Sequence, residues 1–151
     1  MAHTDTVDEH RAEKAAIEHV MTQFHACCRR TRWSRALSSL FLPDATIWLN
    51  VLTDAAYDRA PAGAANTSKI RVSSYRDFAK FVSTTPKSLD LEHSNVVIHT
   101  DGTIAAVYFN FVFKIDGKAE NRGSETRQLV KAVGGWRIAA ISYSCDPAMQ
   151  Q

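Results

Sequence analysis

The sequence is short of several things, and each shortage removes a class of protein. Cysteine is scarce: Cys27, Cys28 and Cys145 are the only three among 151 residues. Their number is odd and the adjacent pair Cys27–Cys28 has no zinc-ligand spacing, so neither a disulfide framework nor a zinc module is expected. They read as reduced thiols, which points to a cytoplasmic protein. Long apolar runs are missing. The stretch Phe109–Phe113 is far too short to span a bilayer, so no membrane association is expected. Met1 to Val20 is polar and charged, with no apolar segment of the kind an export signal carries. An excess of one charge is missing too: 18 basic residues face 16 acidic ones, for a net charge of +2. Nucleic-acid binding needs a basic stripe that this balance does not supply. The one basic cluster, Arg29, Arg30, Arg32 and Arg35, is read as solvating a helix end, where cations are favoured. With only six glycines and four prolines there is no fibrous or low-complexity signature.

What remains is an ordinary globular composition, 45% hydrophobic and 23% charged. A chain this long buries roughly 70% of its unfolded surface in one core, so a single domain over residues 1–151 is expected, without metal or disulfide. Thr6-x-x-Glu9 is a candidate capping box. Ile17, Val20, Met21, Phe24 and Cys28 then recur at helical spacing as one apolar stripe. His25 falls on its flank, about 100° from Phe24. A second short helix carries Trp33, Leu37, Leu40 and Phe41 and stops at Pro43. Residues 45–52 read as a strand. Residues 53–69, rich in Ala, Pro, Gly and Asn, read as a long loop. A third helix starts at a capping box near Ser74-x-x-Asp77, carries Tyr75, Phe78 and Val82, and closes at Pro86.

The second half reads as a strand meander. Turn signals at Asp101-Gly102, Asp116-Gly117 and Gly134-Gly135 separate strands 89–99, 104–115, 122–133 and 136–145. Long antiparallel strands coil, and amphipathic helices need an apolar surface, so helices packed into the concave side of an α+β fold are expected. Strand 104–115 has two faces: Val107, Phe109, Phe111 and Phe113 must meet the helices, whereas Ala106, Tyr108, Asn110, Val112 and Lys114 form a semi-polar outer face. On the next strand Ser124, Thr126 and Gln128 share one phase, and Glu125, Arg127 and Leu129 the other.

Three stretches carry a family resemblance. Phe24-His25-Ala26 followed by Leu37-Ser38-Ser39-Leu40-Phe41-Leu42-Pro43-Asp44-Ala45 resembles an "LFxPDA" helix-to-strand segment. Leu91-Glu92-His93-Ser94-Asn95-Val96, running into Asp101-Gly102-Thr103-Ile104-Ala105, is similar to an "H-x-x-N-V…DG-x-x-A" stretch. Gly123-Ser124-Glu125-Thr126, leading to Gly134-Gly135-Trp136-Arg137-Ile138, resembles the final hairpin. Together they resemble the nuclear transport factor 2-like superfamily, in its SnoaL-like, scytalone-dehydratase-like and ketosteroid-isomerase-like branch. The resemblance implies a cone-shaped barrel, a curved antiparallel sheet wrapped around three helices with a cavity between them. That fold hosts isomerases, polyketide cyclases, dehydratases, epoxide hydrolases and non-catalytic binding modules, so function has to come from the cavity.

The resemblance puts Leu49 where steroid isomerases of this fold carry a base Asp, and Gln128 near their protonated oxyanion-hole Asp. Leucine cannot take a proton, so that mechanism does not carry over. No Asp-Arg-Asp constellation is expected on the concave phases. His93 lies where the resemblance puts a cavity histidine, and an imidazole gives and takes protons near neutral pH. The competing reading is a structural partner across the sheet. His25 could reach the pocket mouth and pair with His93, or lie half exposed at the surface. His99 is expected on the phase of His93, which makes a weak metal case, and no metal or cofactor is expected. Tyr143, put inward with Cys145 by the resemblance, either orients a ligand carbonyl or caps a core hydrogen bond.

The functional expectation is an apolar cavity for a small aromatic or polycyclic molecule. Phe24, His25, Leu49, Phe109, Phe111, Thr126 and Gln128 would line it, and His93 and Tyr143 would be the catalytic pair of a cofactor-free isomerase, cyclase or dehydratase. The alternative is a non-catalytic binding or dimerisation module. Trp48 is expected on the outer face. Tyr108, Asn110, Glu125 and Arg127 are expected to form a homodimer patch there.

Overall fold

The computed structural model describes residues 10–29, 38–43, 47–59 and 68–146. The first helix, α1 (Arg11–Arg29), forms on the expected stripe. Ile17, Val20, Met21, Phe24 and Cys28 are buried, while the residues between them mostly face out. Its start is fastened to the sheet by Glu13, whose carboxylate takes the Lys131 ammonium and, at 2.7 Å, the indole N–H of Trp136. The capping box at Thr6 and Glu9 lies outside the described residues, as does most of the second short helix. Leu40 and Phe41 of that segment are buried, and Phe41 bridges Ile138 in parallel.

Strand β1 (Ile47–Leu52) is followed by α2 (Asp54–Asp58), capped by the Thr53 hydroxyl, which accepts from Ala56 N–H. Strand β2 (Ile70–Ser73) leads into α3 (Tyr75–Thr84). Here the Ser74 hydroxyl accepts from Asp77 N–H, so the expected capping box starts the helix. The region expected to be loop from 53 to 69 thus opens with a helical turn, and β2 follows it. Neither has the length to leave a periodic signal. The meander is β3 (Leu89–Thr100), β4 (Ile104–Ile115), β5 (Lys118–Ala132) and β6 (Gly135–Cys145).

The six strands lie in the order β2-β1-β6-β5-β4-β3. All neighbours are antiparallel except β1 and β6, which run parallel. β2 and β3 remain edges, so the curved sheet is unclosed. The helices pack on one face, and one cluster of buried side chains joins α1, α3 and all strands but β2. Among the described residues no helix is long and apolar enough to cross a membrane.

Three bulges decide which side chains face that core. In β3 the register slips between Ser94 and Val97, with Asn95 at φ 55°. His93 therefore shares the inward phase of Leu89 and Leu91, whereas His99 pairs with Ala106 and points outward. The expectation that the two histidines share a face is corrected by that extra residue. In β6 a slip lies opposite Gln128 and Leu129.

The third bulge is the consequential one. Lys114 pairs with Ala119, but Phe113 pairs with Asn121, so Glu120 is extra. Without it Phe109 would face Ser124, and Thr126 and Gln128 would lie inside. With it Phe109 faces Glu125 and Val107 faces Arg127. Directly paired residues share a face, so Glu125 and Arg127 are buried whereas Thr126 and Gln128 are exposed. This reverses the expectation for all four residues. Tyr108 and Asn110 lie on the outer face as expected.

Candidate ligand cavity

Between the helices and the sheet lies a hollow of about 100 Å³. Its roof is aromatic. Phe24 of α1 stacks on Phe78 of α3 at 5.8 Å, and Trp48 of β1 stacks on Phe78 at 4.9 Å. Leu91, Phe111 and Phe113 form the apolar floor, with Phe111 edge-on to Tyr143 at 6.0 Å. The polar atoms come from β5 and β6: Asn121, Glu125 and Tyr143.

Trp48 lines this space because β1 runs parallel to β6 in the register Trp48 to Ile141, and Ile141 faces the core. Leu49 lies beside Ser142 and points away. Leu49 is thus no ligand contact, and Trp48 is not an outer-face residue; both expectations followed from the resemblance, which puts Leu49 at the cavity position and so turns Trp48, its strand neighbour, outward.

Glu125 is the carboxyl at the back of the hollow. Burial pushes its pKa up, and the Arg127 guanidinium opposes that rise. Arg127 Nε donates to Glu125 Oε2 at 2.5 Å, and Oε1 makes no hydrogen bond among the described residues. The guanidinium is 1% exposed and lies between two rings, 4.5 Å from the centre of Phe24 and 4.9 Å from that of Phe109. Its Nη2 meets Nε2 of His25 at 3.2 Å. A guanidinium can only donate, so His25 accepts there and carries its proton on Nδ1 when neutral. A buried donor, Arg127 Nη1, and a buried acceptor, Asn50 Oδ1, have no hydrogen-bond partner among the described residues. Such atoms cost about 1–3 kcal/mol each and are uncommon where side chains merely pack.

Tyr143 stands directly opposite Glu125 across β5 and β6. Its pKa is raised, first by burial and then by nearby acidic groups including Glu125, against the pull of Trp48 and Asn50 beside its hydroxyl. A raised pKa keeps the phenol a hydrogen-bond donor. Cys145 is buried on the same phase with its thiol pKa raised by desolvation. Cys28 is pushed up to about 12 by burial; both thiols are inert packing groups.

Of the residues singled out in the sequence, Phe24, Phe111 and Tyr143 line the hollow. Phe109 is a core residue against Arg127 rather than a wall. His25 is buried rather than half exposed, and its ring meets that of His93 at 4.5 Å. His93 itself is exposed, in a groove with Thr22 and Ala26 of α1. It is not among the residues lining the hollow, because β3 is an edge strand and leaves this position at the rim. Among the described residues no group of three His, Cys, Asp or Glu converges on a metal position. Sequence reasoning missed six of the lining residues: Phe78, Leu91 and Phe113, which it read only as packing residues or not at all, and Trp48, Asn121 and Glu125. Trp48 could have been found from its bulk; Asn121 and Glu125 depend on a bulge at Glu120 that nothing in the local sequence demands.

No protein-family model and no curated protein sequence matches the chain. Solved structures do. A protein from Novosphingobium aromaticivorans, provisionally named a scytalone dehydratase, is 15% identical and superposes with a TM-score of 0.69, covering 93% of this chain and 89% of that one. A Streptomyces avermitilis protein provisionally named a dehydratase of the NTF2-like family is 16% identical, with a TM-score of 0.64 and coverage of 89% and 96%. An NTF2-like protein of unknown function from Shewanella baltica is 14% identical, with a TM-score of 0.60 and coverage of 90% and 95%. Helices cupped by a curved, open six-stranded sheet are what these structures have in common with this chain, and its fold is NTF2-like.

Proposed function

We propose that the protein binds a small one-ring molecule in the aromatic hollow and moves a proton on it without a cofactor, with Glu125 as acid/base. The observation that carries this reading is a single carboxyl among aromatic walls, with one oxygen engaged by Arg127 and the other unengaged among the described residues. Perturbed groups held in a concave apolar site are how proton-transfer sites are built. The hollow is closer to the ~150 Å³ cavities that admit benzene than to the space a fused-ring system needs, so a monocycle replaces the polycycle suggested by sequence.

The reaction class is isomerisation or dehydration alpha to a carbonyl. Glu125 takes a proton from the carbon next to the carbonyl, and the Tyr143 hydroxyl donates a hydrogen bond to the oxygen that becomes negative. In an isomerisation the proton returns from Glu125 to another carbon of the same molecule; in a dehydration it goes to the beta hydroxyl as the C–O bond breaks and water leaves, and neither course changes the net charge. Two structural neighbours bear dehydratase names, which suits this class. His93 is outside the hollow and is assigned no proton-transfer step. Three cysteines outside any disulfide fit a cytoplasmic setting.

The outer sheet face supports a second role, contact between two copies of the chain. The row Val97, Tyr108, Thr126, Ser142, Leu49 and Val72 crosses the whole sheet without a charge. Val72 is 77% exposed and Tyr108 48%. Glu125 and Arg127 are not part of this surface.

The test of the catalytic reading uses 2-cyclohexen-1-one in D₂O, with deuterium entry followed by NMR. The wild type should catalyse exchange, and Glu125→Gln should lose about 10²-fold or more, the usual contribution of a general base, while still binding phenol. Equal exchange in wild type and Glu125→Gln removes the acid/base assignment. Failure of both phenol and the enone to bind removes the cavity reading.

A further inference from the structure

The proton-handling role of Glu125 rests on the reading above, and the residues behind it have their own geometry. We infer that Arg127 and His25 are positioning residues that fix one oxygen of Glu125, set its charge state and leave its other oxygen to the ligand. Three contacts define the arrangement. Nε of Arg127 holds Oε2 of Glu125 at 2.5 Å. Nη2 of the same guanidinium donates to Nε2 of His25 at 3.2 Å. The guanidinium carbon lies over the rings of both Phe24 and Phe109. A flexible buried cation could adopt several poses. This one contacts two rings and is held at two nitrogens, so its charge sits at a fixed distance from the carboxylate.

The groups facing Glu125 from each packed element are few. Arg127 is on its own strand, Tyr143 faces it from β6, and Phe109 is its apolar partner on β4. From α1 come the Cys28 thiol and, through Arg127, His25. From β3, His93 touches His25 rather than Glu125. Arg127 is therefore the only cation against the carboxyl among the described residues. An opposite charge this close favours the ionised carboxylate by about 1–3 pH units. Burial pulls in the other direction. The charge state of Glu125 is thus set by burial on one side and by the Arg127 guanidinium on the other. His25 acts one step back: its neutral ring gives Nη2 an acceptor, and a protonated ring would have none to give.

The test titrates Glu125 directly, with no substrate. Protein carrying ¹³C-labelled glutamate carboxyls is followed by NMR, and the Glu125 signal is assigned by its loss in Glu125→Gln. In Arg127→Met, which retains an unbranched apolar stem between Phe24 and Phe109, the Glu125 midpoint should rise by about 1–3 pH units. Should that variant fail to fold, His25→Phe and His25→Gln carry the test. The phenylalanine removes the acceptor and should raise the midpoint. The glutamine carbonyl can accept from Nη2 and should restore it toward the wild-type value. A merely structural role would move the melting temperature of both His25 variants and leave the midpoint in place. An unchanged midpoint in Arg127→Met, or in His25→Phe where Arg127→Met does not fold, overturns the inference. Because no turnover is measured, that result is distinct from a failure of the acid/base assignment, which the deuterium exchange of Glu125→Gln reports separately.

Discussion

Replacing one member of the Glu125–Arg127 pair should cost far more than replacing both. The guanidinium is 1% exposed and the carboxylate residue 6%, so neither charge has water to fall back on. Arg127→Met removes the ion pair, the donor to His25 and the contacts over two rings, and leaves an uncompensated carboxylate. Breaking a buried pair in this way costs about 3–5 kcal/mol. Glu125→Gln leaves the arginine uncompensated and falls in the same range. The double variant Glu125→Leu/Arg127→Met leaves no buried charge, and such replacements are neutral or stabilising by about 1–4 kcal/mol. The assay is urea unfolding of the four proteins. With slopes of about 1–3 kcal/mol/M, either single variant should lower the midpoint by roughly 2 M, and the double variant should recover most of it. The pH dependence gives a second reading of the same pair. The folded pKa of Glu125 lies above its ordinary value of 4.5, so the folded state binds more protons in the interval between them. Its stabilising contribution is full below about pH 4.5 and declines as pH rises through the folded value. That decline should be missing in Glu125→Gln. A loss under about 1 kcal/mol for Arg127→Met, or additive effects in the double variant, would refute the reasoning, because the pair would then be solvated.

Tyr108→Glu on the outer sheet face should convert a dimer to a monomer in sedimentation velocity without changing phenol binding; a monomeric wild type would remove that interface. At Gly123 an added Cβ would lie 2.5 Å from the Ser144 carbonyl oxygen and 2.6 Å from its Oγ, so Gly123→Ala should destabilise by about 1–3 kcal/mol, seen as a lower urea midpoint, and an unchanged midpoint would mean that β5 and β6 do not approach so closely. Cys28, raised from 9.0 to about 12, keeps its proton in the folded state where the unfolded chain has lost it, so its contribution is full below about pH 9 and falls by up to about 1.4 kcal/mol per pH unit above that. A thiol reagent at pH 8 should modify half-buried Cys27 before Cys28 or Cys145; early reaction of Cys28 would place the wrong face of α1 against the sheet.

The helix and strand pattern was legible because it is periodic. The stripe from Ile17 to Cys28, the capping box at Ser74, and the turns at Asp101-Gly102 and Asp116-Gly117 all act locally, and each is where the sequence puts it. The faces of β4 were legible for the same reason, since Val107, Phe109 and Phe111 have no other apolar surface to meet. The site was less legible because it depends on register, and register depends on single extra residues. The reading of β5 that places charges outside is the ordinary one, and a regular hairpin from Ile115 and Lys118 would satisfy it. One bulge at Glu120 turns the strand over and carries two charges into the core. The bulge at Asn95 likewise separates His93 from His99. β1 misleads differently: its phase of Ile47, Leu49 and Val51 is the more aliphatic, yet it faces out, because parallel pairing with β6 fixes Trp48 beside Ile141.

An ion pair in such a place is poor evidence of a stability device, since burying two charges costs several kcal/mol per ion before their attraction returns any of it. Hydrophobic side chains of similar size would fill the space between Phe24 and Phe109 at lower cost. The arrangement makes physical sense if the carboxylate is wanted where it is. Glu125 sits where the apolar walls end, and its Oε1 is the oxygen that Arg127 does not use. A ligand whose ring lies between Phe24, Phe78 and Trp48 would present its polar edge to that oxygen and to the Tyr143 hydroxyl. The two groups approach from adjacent strands, and the same desolvation raises the pKa of each. The walls that favour the ring are thus also what tunes the acid, and a change that lets water into the hollow should weaken ligand binding and return Glu125 toward its ordinary pKa together.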